Sequence, residues 1–240
     1  LPEFSKTNLA LYADDTAIYA HSFYAQAALL QNQLHMKLLT NYFDDWKLKL
    51  NESKTELIIF SRKRTNNKIF VPFKINNHTV KPTTTVNYLG ITLDSRLNFK
   101  ENLKNKLTKA NNAIRKIYPL IKRNSKLSVK NKIIIYKALI RPIITYAAPV
   151  WSHLSTNALQ PLEVFQNKCM RLIHNAPRHT NTQHLRNISE LPTIKEFISI
   201  QTEKFFRKNT NKLIKTPNVN DTDQFNISRF KHKLIHQHLN

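Results

Sequence analysis

Three things are scarce in this chain of 240 residues: it holds one glycine, one cysteine, and only 15 Asp and Glu against 38 Lys and Arg. The single cysteine, Cys169, excludes an internal disulfide framework and any cysteine-based zinc knuckle. It lies within an apolar helical pattern and reads as a core residue, and a chain without disulfides fits a reducing compartment. No apolar run is long enough to span a bilayer, so no membrane partner is expected. Leu1-Pro2-Glu3-Phe4 does not read as a signal peptide and no initiator Met stands at the start, so the chain is expected to be cut from something longer. A single glycine amid abundant Asn, Lys and Ile is also the composition that an AT-rich gene produces by itself.

What is present is a real core and a large excess of positive charge. Hydrophobic residues make up 41% of the chain and aromatics 10%, which excludes global disorder. The formal net charge is +23 and the pI about 10.2. A polyanion is the expected partner, nucleic acid ahead of an anionic membrane.

Alternating apolar residues predict strands at Leu9 to Ala13 and Thr16 to Ala20, with Asp14-Asp15 as the two-residue loop between them. Ala27, Leu30, Leu34, Leu38, Tyr42 and Trp46 recur at helical spacing and predict one buried face, with the helix ending near Leu48 to Asn51. Glu56 to Ser61 reads as a strand. Ile69 to Ile75 and His78 to Lys81 flank Asn76-Asn77 as a second hairpin, with Pro72 favouring an edge. Val86 to Leu93 reads as a further strand holding the only glycine, Gly90.

After that the period is helical. Phe99, Leu103, Leu107, Ala110, Ile114, Ile117 and Ile121 form one stripe. Ile133, Tyr136, Ile140, Ile144 and Ala147 form another, with Ser128 as N-cap and Pro142 expected to kink or break the helix. Leu162, Phe165, Cys169, Leu172 and Ala176 form a third, stopped by Pro177. Thr193 and Glu196 fit a capping box opening a fourth helix. Asn209 to Asn226 is polar and unpatterned and reads as a linker, and Ser228 to Leu239 as a short basic helix. His232, His236 and His238 in that terminal segment have no carboxylate partner and are not read as a metal site. Strands with one helix, then helices only, make an α+β unit followed by an α-helical unit.

Adjacent aspartates on a hairpin tip repel each other, and a divalent cation relieves the repulsion. Mg2+ takes hard oxygen ligands, commonly one or two carboxylates plus water and substrate phosphate. A bare Asp-Asp is more often a solvated turn. Here its flanks matter. Tyr12-Ala13-Asp14-Asp15 resembles the catalytic hairpin of reverse transcriptases. "WKLKLNESKTELIIFS", Trp46 to Ser61, is similar to a palm segment of non-LTR retrotransposon polymerases, and "YLGITLD", Tyr88 to Asp94, to the primer-grip hairpin that follows it. "IYKALIRPIITYAAPVW", Ile135 to Trp151, resembles their thumb, and "FQNKCMRLIHNAPR", Phe165 to Arg178, the segment after it. Jockey-like elements are the group most resembled, over most of residues 1–200 and in the family's order.

The resemblance implies a partial polymerase palm with primer grip over 1–95, thumb-like helices over 96–150, a helical C-terminal region over 151–208 and a polar linker with a short basic helix over 209–240. It implies Asp14 and Asp15 as catalytic, metal-binding carboxylates for two Mg2+ ions, Lys54 as a proton donor to the leaving pyrophosphate, and Tyr12 near the primer end. Tyr88, Leu89 and Gly90 would form the primer grip. Lys104, Lys106, Lys109, Arg115 and Lys116, read as lying away from the apolar stripe, would meet the phosphates of an RNA template and DNA primer duplex without reading sequence. Deoxynucleoside triphosphates would be the substrates, and the location would be intracellular, in nucleus and cytoplasm, and not secreted.

Only thirteen residues precede Asp14, so the further palm aspartate of the family and its fingers are not within the chain, and the fragment by itself is expected to be inactive. A non-catalytic, nucleic-acid-binding remnant of a retroelement is the alternative reading.

Overall fold

The computed structural model describes residues 1–2, 4–61 and 72–213. The chain divides into two compact units, Leu1–Phe99 and Lys100–Asn240. The first combines one long helix with short strand pairs, and the described part of the second is helical. No described helix is long and apolar enough to cross a membrane.

The first unit opens with an antiparallel hairpin, β1 (Asn8–Tyr12) and β2 (Asp15–Tyr19), joined by Ala13-Asp14. The predicted loop is thus displaced by one residue. Asp14 stays in the loop, while Asp15 starts β2 opposite Tyr12. Ala13 takes the left-handed conformation that such a tight turn demands, φ 52°. Helix α1 follows, Ala25–Asp45, and ends earlier than its apolar pattern suggested. It buries Leu29, Met36 and Leu39 rather than the predicted stripe. Leu30, Leu34, Leu38 and Trp46 of that stripe are exposed. α1 is apolar on two sides, and the side that packs is the one facing a hairpin formed by residues 73–80.

That hairpin is β4 (Phe73–Ile75) with β5 (His78–Val80), turned at Asn76, φ 49°. The Asn76-Asn77 turn is as expected, while residues 69–71 of the predicted strand lie outside the described residues. Phe73, Ile75 and Val80 pack with Leu29 and Met36, and Ile18, Leu50, Leu57 and Ile59 close around them. Gln33 fastens the helix to the strand at two points. Its Nε2 donates to the Lys74 carbonyl at 2.6 Å and its Oε1 accepts from the Lys74 N–H at 2.7 Å. Of the strand expected over Glu56 to Ser61, only β3 (Leu57–Ile58) is laddered, parallel to β6 (Pro82–Thr83). Val86 to Leu93 is not one strand. It is a hairpin, β7 (Thr85–Tyr88) and β8 (Ile91–Asp94), reversed at Leu89-Gly90.

The second unit begins with α2, Lys100–Ile121. α3 (Val129–Ile135) starts where expected, with the Ser128 hydroxyl accepting from the Asn131 N–H at 3.2 Å. A turn of π-helix, Tyr136–Ile140, then leads into α4, Arg141–Thr145. Pro142 lacks the N–H that would bond the Ala138 carbonyl, and the widened turn immediately before it is how the helix absorbs that loss. Ala147, φ 52°, separates α4 from α5, Ala148–Trp151.

α6 (Thr156–His174) is closed by Asn175 in the left-handed region, with the Ala176 N–H donating to the Arg171 carbonyl at 2.9 Å. α7 (Thr182–Ser189) is an element that the apolar pattern did not show. α8 (Ile194–Leu213) carries the predicted capping box: the Glu196 N–H donates to Thr193 Oγ1 at 3.2 Å, and the Thr193 N–H donates to Glu196 Oε2 at 2.9 Å. α8 runs through Leu213, into the stretch read as a linker. The remainder of that linker, the short basic helix and the three terminal histidines lie outside the described residues. Trp151, Tyr136, Ile144, Leu162, Met170, Ile194 and Ile198 are fully buried and form the centre of this unit.

Candidate active site and nucleic-acid interface

The two aspartates sit at a tip that projects into solvent. Asp14 occupies the loop and Asp15 the first strand position, both exposed. Tyr12, paired with Asp15 across the ladder, is 66% exposed. Cross-strand partners share a face, so the phenol and the Asp15 carboxylate stand on one side of the hairpin. Two adjacent carboxylates supply hard oxygen donors of the kind Mg2+ takes. Among the described residues no group of three or more His, Cys, Asp and Glu gathers. The described residues therefore offer a carboxylate pair rather than a closed cage, a donor set that suits an ion keeping water and substrate oxygens in its shell.

Lys54 ends a short 3-10 turn, Glu52–Lys54. Asn51 builds it: its side-chain oxygen accepts from the Ser53 hydroxyl at 2.8 Å and from the Lys54 N–H at 3.2 Å. This fixes the backbone of Lys54 and leaves its ammonium in solvent. Among the described residues no ion pair joins Lys54 to Asp14 or Asp15.

Tyr88, Leu89 and Gly90 form the reversal between β7 and β8. Leu89 has φ 47° and Gly90 φ 76°. Two successive positive φ values define a type I′ turn, and the glycine removes the Cβ clash at the second position. Leu89 has no such relief. Asp94, at the end of β8, is a residue that sequence reasoning did not single out. Its Oδ1 accepts from the N–H groups of Arg96 at 3.1 Å and Asn98 at 3.0 Å, and its Oδ2 from Phe99 at 2.6 Å. One carboxylate thus holds a loop in which Leu97 and Phe99 both have positive φ. An Asp followed by a segment in need of acceptors was the available signal.

On α2, Lys104, Lys109, Arg115 and Lys116 are exposed. Helical geometry sets Lys104 with Arg115 on one row and Lys109 with Lys116 on another, roughly 120° around. Lys104 contacts Glu101 at 3.4 Å, a solvent-exposed pair of little energetic weight. Lys106 departs from the expected placement: it is buried, 5% exposed. Its ammonium donates to the Tyr146 carbonyl at 2.8 Å and lies 5.0 Å from the Tyr146 ring and 5.5 Å from the Trp151 ring. Burial, with Lys109 adding to it, lowers its pKa to about 8. This lysine is spent on holding the left-handed break after Tyr146, and of the five basic positions it is the one turned away from solvent.

The same burial logic governs the other shifted groups of this unit. Desolvation pushes the Cys169 thiol up to about 12, which makes it an inert core residue as expected. The Tyr136 hydroxyl, raised by burial, donates to Gln166 Oε1 at 2.8 Å.

Comparison with known proteins gives four relatives, all RNA-directed DNA polymerases by name. Over 200 residues the chain is 28% identical to "Probable RNA-directed DNA polymerase from transposon BS" of Drosophila melanogaster, covering 83% of this chain and 22% of that protein. It is 26% identical over 200 residues to "RNA-directed DNA polymerase from mobile element jockey" of the same species, with the same coverage. It is 26% identical over 202 residues to "Probable RNA-directed DNA polymerase from transposon X-element", covering 84% of this chain and 22% of that protein. The resemblance to jockey-like reverse transcriptases is borne out by these names. The chain spans about a fifth of the length of the relatives it matches. No family model matches, and no solved structure matches.

Proposed function

We propose that this chain is a portion of an RNA-directed DNA polymerase of a non-LTR retrotransposon, carrying its catalytic hairpin and a basic helical unit that meets nucleic acid. The carrying observation is the exposed Asp14-Asp15 tip within a chain similar over 83% of its length to such polymerases. In the complete enzyme a primer 3′-hydroxyl would attack the α-phosphate of a deoxynucleoside triphosphate on an RNA template. Asp14 and Asp15 would hold Mg2+, which supplies hydroxyl activation and stabilises the leaving oxygen.

This chain's other residues would bind and orient. Tyr12, on the Asp15 side of the hairpin, would pack near the primer end. Tyr88, Leu89 and Gly90 would present the type I′ turn to the primer backbone. Lys54, solvent-facing on a turn fixed by Asn51, would donate a proton toward the leaving pyrophosphate. Lys104, Lys109, Arg115 and Lys116 would track duplex phosphates. The site of action would be intracellular. The exposed apolar stripe Leu30, Leu34 and Leu38 supports the same reading, because an apolar helix face of that kind suits a larger domain.

The test uses a polypeptide that includes this chain and the rest of such a polymerase. Asp14→Asn removes a metal ligand, and primer extension should fall on the order of a thousandfold. Binding of a labelled RNA–DNA hybrid should persist. Extension at near wild-type rate would assign Asp14 to a turn. Hybrid binding without any extension in the unmutated polypeptide would instead establish the non-catalytic remnant.

A further inference from the structure

α2 and α6 do not close fully against each other, and a groove of about 510 Å³ runs between them, within the usual range of ligand clefts. Its apolar lining is Leu107, Pro161, Val164 and Phe165: Phe165 is buried beneath it, and Pro161 and Val164 present exposed apolar surface. Its walls are carboxamides and a cation: Asn111, Asn157, Gln160 and Lys168, all exposed. No acidic residue lines it. Among the described residues the side chains of Asn157, Gln160 and Lys168 make no hydrogen bond, whereas Asn111 donates through Nδ2 to the Leu107 carbonyl at 2.9 Å.

The surroundings extend this character. Lys104 and Arg115 lie within about 40° of Asn111 around α2, so the exposed cationic row of that helix runs along the groove's rim. An apolar lining, side-chain amides at the walls and cations along the edge are what an unpaired nucleobase requires. The lining takes its flat face, the amides meet its donor and acceptor edge, and the cations take the flanking phosphates. A stacked duplex keeps its base faces covered and presents only phosphates to such a surface.

We propose that the α2–α6 groove is a binding site for unpaired bases of single-stranded nucleic acid, beside the Lys104 and Arg115 row whose phosphate contacts single strand and duplex would share. The inference deepens the polymerase reading and rests on it for the presence of a single-stranded template. Charge complementarity selects the occupant: the chain carries a formal +23, and the groove contributes cations and no carboxylate to that field. An acidic peptide could satisfy the charge but would leave the amide walls and apolar lining without a matching planar partner.

The test uses the 240-residue chain and a labelled mixed-sequence single strand of about twelve nucleotides, within the site sizes of single-strand binders. Gln160→Glu places an anion in the groove at an exposed position near the start of α6, where an acid is tolerated by the helix. Lys168→Ala removes the wall cation. Each should weaken single-strand binding by at least about fivefold, the loss of one good contact. Asn41→Asp, the same charge change on exposed α1, should alter it less than about twofold. A strand of the same length with abasic sugars should bind the wild type at least about fivefold more weakly, because the apolar contact of the bases with Leu107, Pro161 and Val164 and their hydrogen bonds to the amides are lost. A labelled RNA–DNA hybrid should bind all variants equally, with circular dichroism confirming the fold.

Equal losses in Gln160→Glu and Asn41→Asp, or an abasic strand that binds as tightly as the normal one, overturns the groove as a base site. Hybrid binding that is retained in that case leaves the polymerase reading standing. Absence of extension by the unmutated longer polypeptide removes the catalytic reading and leaves single-strand binding in the groove standing.

Discussion

The two units solve the problem of a core differently. The second buries Trp151, Tyr136, Ile144, Leu162 and Met170 completely, and its helices are capped by side chains at Ser128, Ser155, Asn181 and Thr193. The first relies on one helix against short two-stranded ladders and leaves Leu11, Tyr12, Tyr19, Phe23, Tyr24, Leu30, Leu34 and Leu38 exposed. Short ladders hold little by themselves, since an isolated hairpin is marginal in water. The contrast teaches where each unit's sequence is directed. Among the described residues the helical unit buries more large apolar side chains than it exposes, although Tyr118, Leu120, Ile134, Leu139 and Ile188 are exposed on it as well. The strand unit exposes more than it buries, and so is written partly for a surface beyond its small core.

Trp151 gives the largest expected effect. It is fully buried, and its Nε1 donates to the Tyr146 carbonyl at 3.1 Å. Trp151→Ala should cost about 3–5 kcal/mol. Hydrogen exchange should register the loss in the amides of α5 and α6. A loss below about 1 kcal/mol, the range of surface changes, would deny the second unit the core that distinguishes it.

Lys106 sharpens the comparison from inside that core. Its ammonium is charged at neutral pH and desolvated, with a pKa of about 8 in the folded chain against 10.5 ordinarily. Between those values the unfolded chain binds more protons, so this group makes stability rise with pH across that window. Cys169 acts oppositely: its thiol, held up to about 12 by burial, stays protonated when folded and makes stability fall above pH 9. Comparing wild type with Lys106→Met isolates the lysine, because Cys169 is common to both. At pH 7 the variant should lie within about 1 kcal/mol of wild type, since a lost cation–π contact is offset by relief of a buried charge. The Tyr146 carbonyl keeps its Trp151 donor. Urea denaturation should show wild type gaining on the variant from pH 8 to 10.5. A wild type that loses ground over that range would mean that the buried charge itself stabilises the fold.

Which features were legible follows from their physics. Helix stripes and caps are local and periodic, and Ser128, Thr193 and Glu196 were found on those grounds. The Asn76-Asn77 turn announced itself because Asn tolerates positive φ. The Asp14-Asp15 hairpin was legible from its alternating flanks, but its register was not. The turn residue that bears the positive φ is Ala13, and alanine gives no sign of such strain. With one glycine in the chain, left-handed positions fall to Ala13, Lys47, Leu89, Leu97, Phe99, Ala147 and Glu190, at a cost of about 1–2 kcal/mol per residue without tertiary support. Asp94 supplies such support to Leu97 and Phe99, a role visible only once the loop is folded. Lys106 stands three residues after Leu103 and four before Ala110, so helical spacing put it at the edge of the apolar stripe; what the spacing could not show is that two aromatic rings close over it. The packing face of α1 was misjudged because a helix apolar on two sides does not say which side is covered.

That ambiguity yields the smallest expected effect and the most direct test of the comparison. Leu39 is fully buried and Leu34 is 48% exposed on the same helix. Leu39→Ala should cost about 2–5 kcal/mol through lost burial and a residual cavity. Leu34→Lys should cost under about 1 kcal/mol: Leu and Lys have similar helix propensity, and the lysine stem keeps the half-buried contacts while its ammonium reaches water. In a polypeptide that extends this chain toward the length of the relatives it matches, the two substitutions should become comparably costly, as a covered Leu34 would then be replaced by a charge. If Leu34→Lys already costs as much as Leu39→Ala in this chain, the stripe is covered and the first unit has a second core. If it remains harmless in the longer polypeptide, the stripe faces solvent there as well, and the contrast between the two units needs another cause.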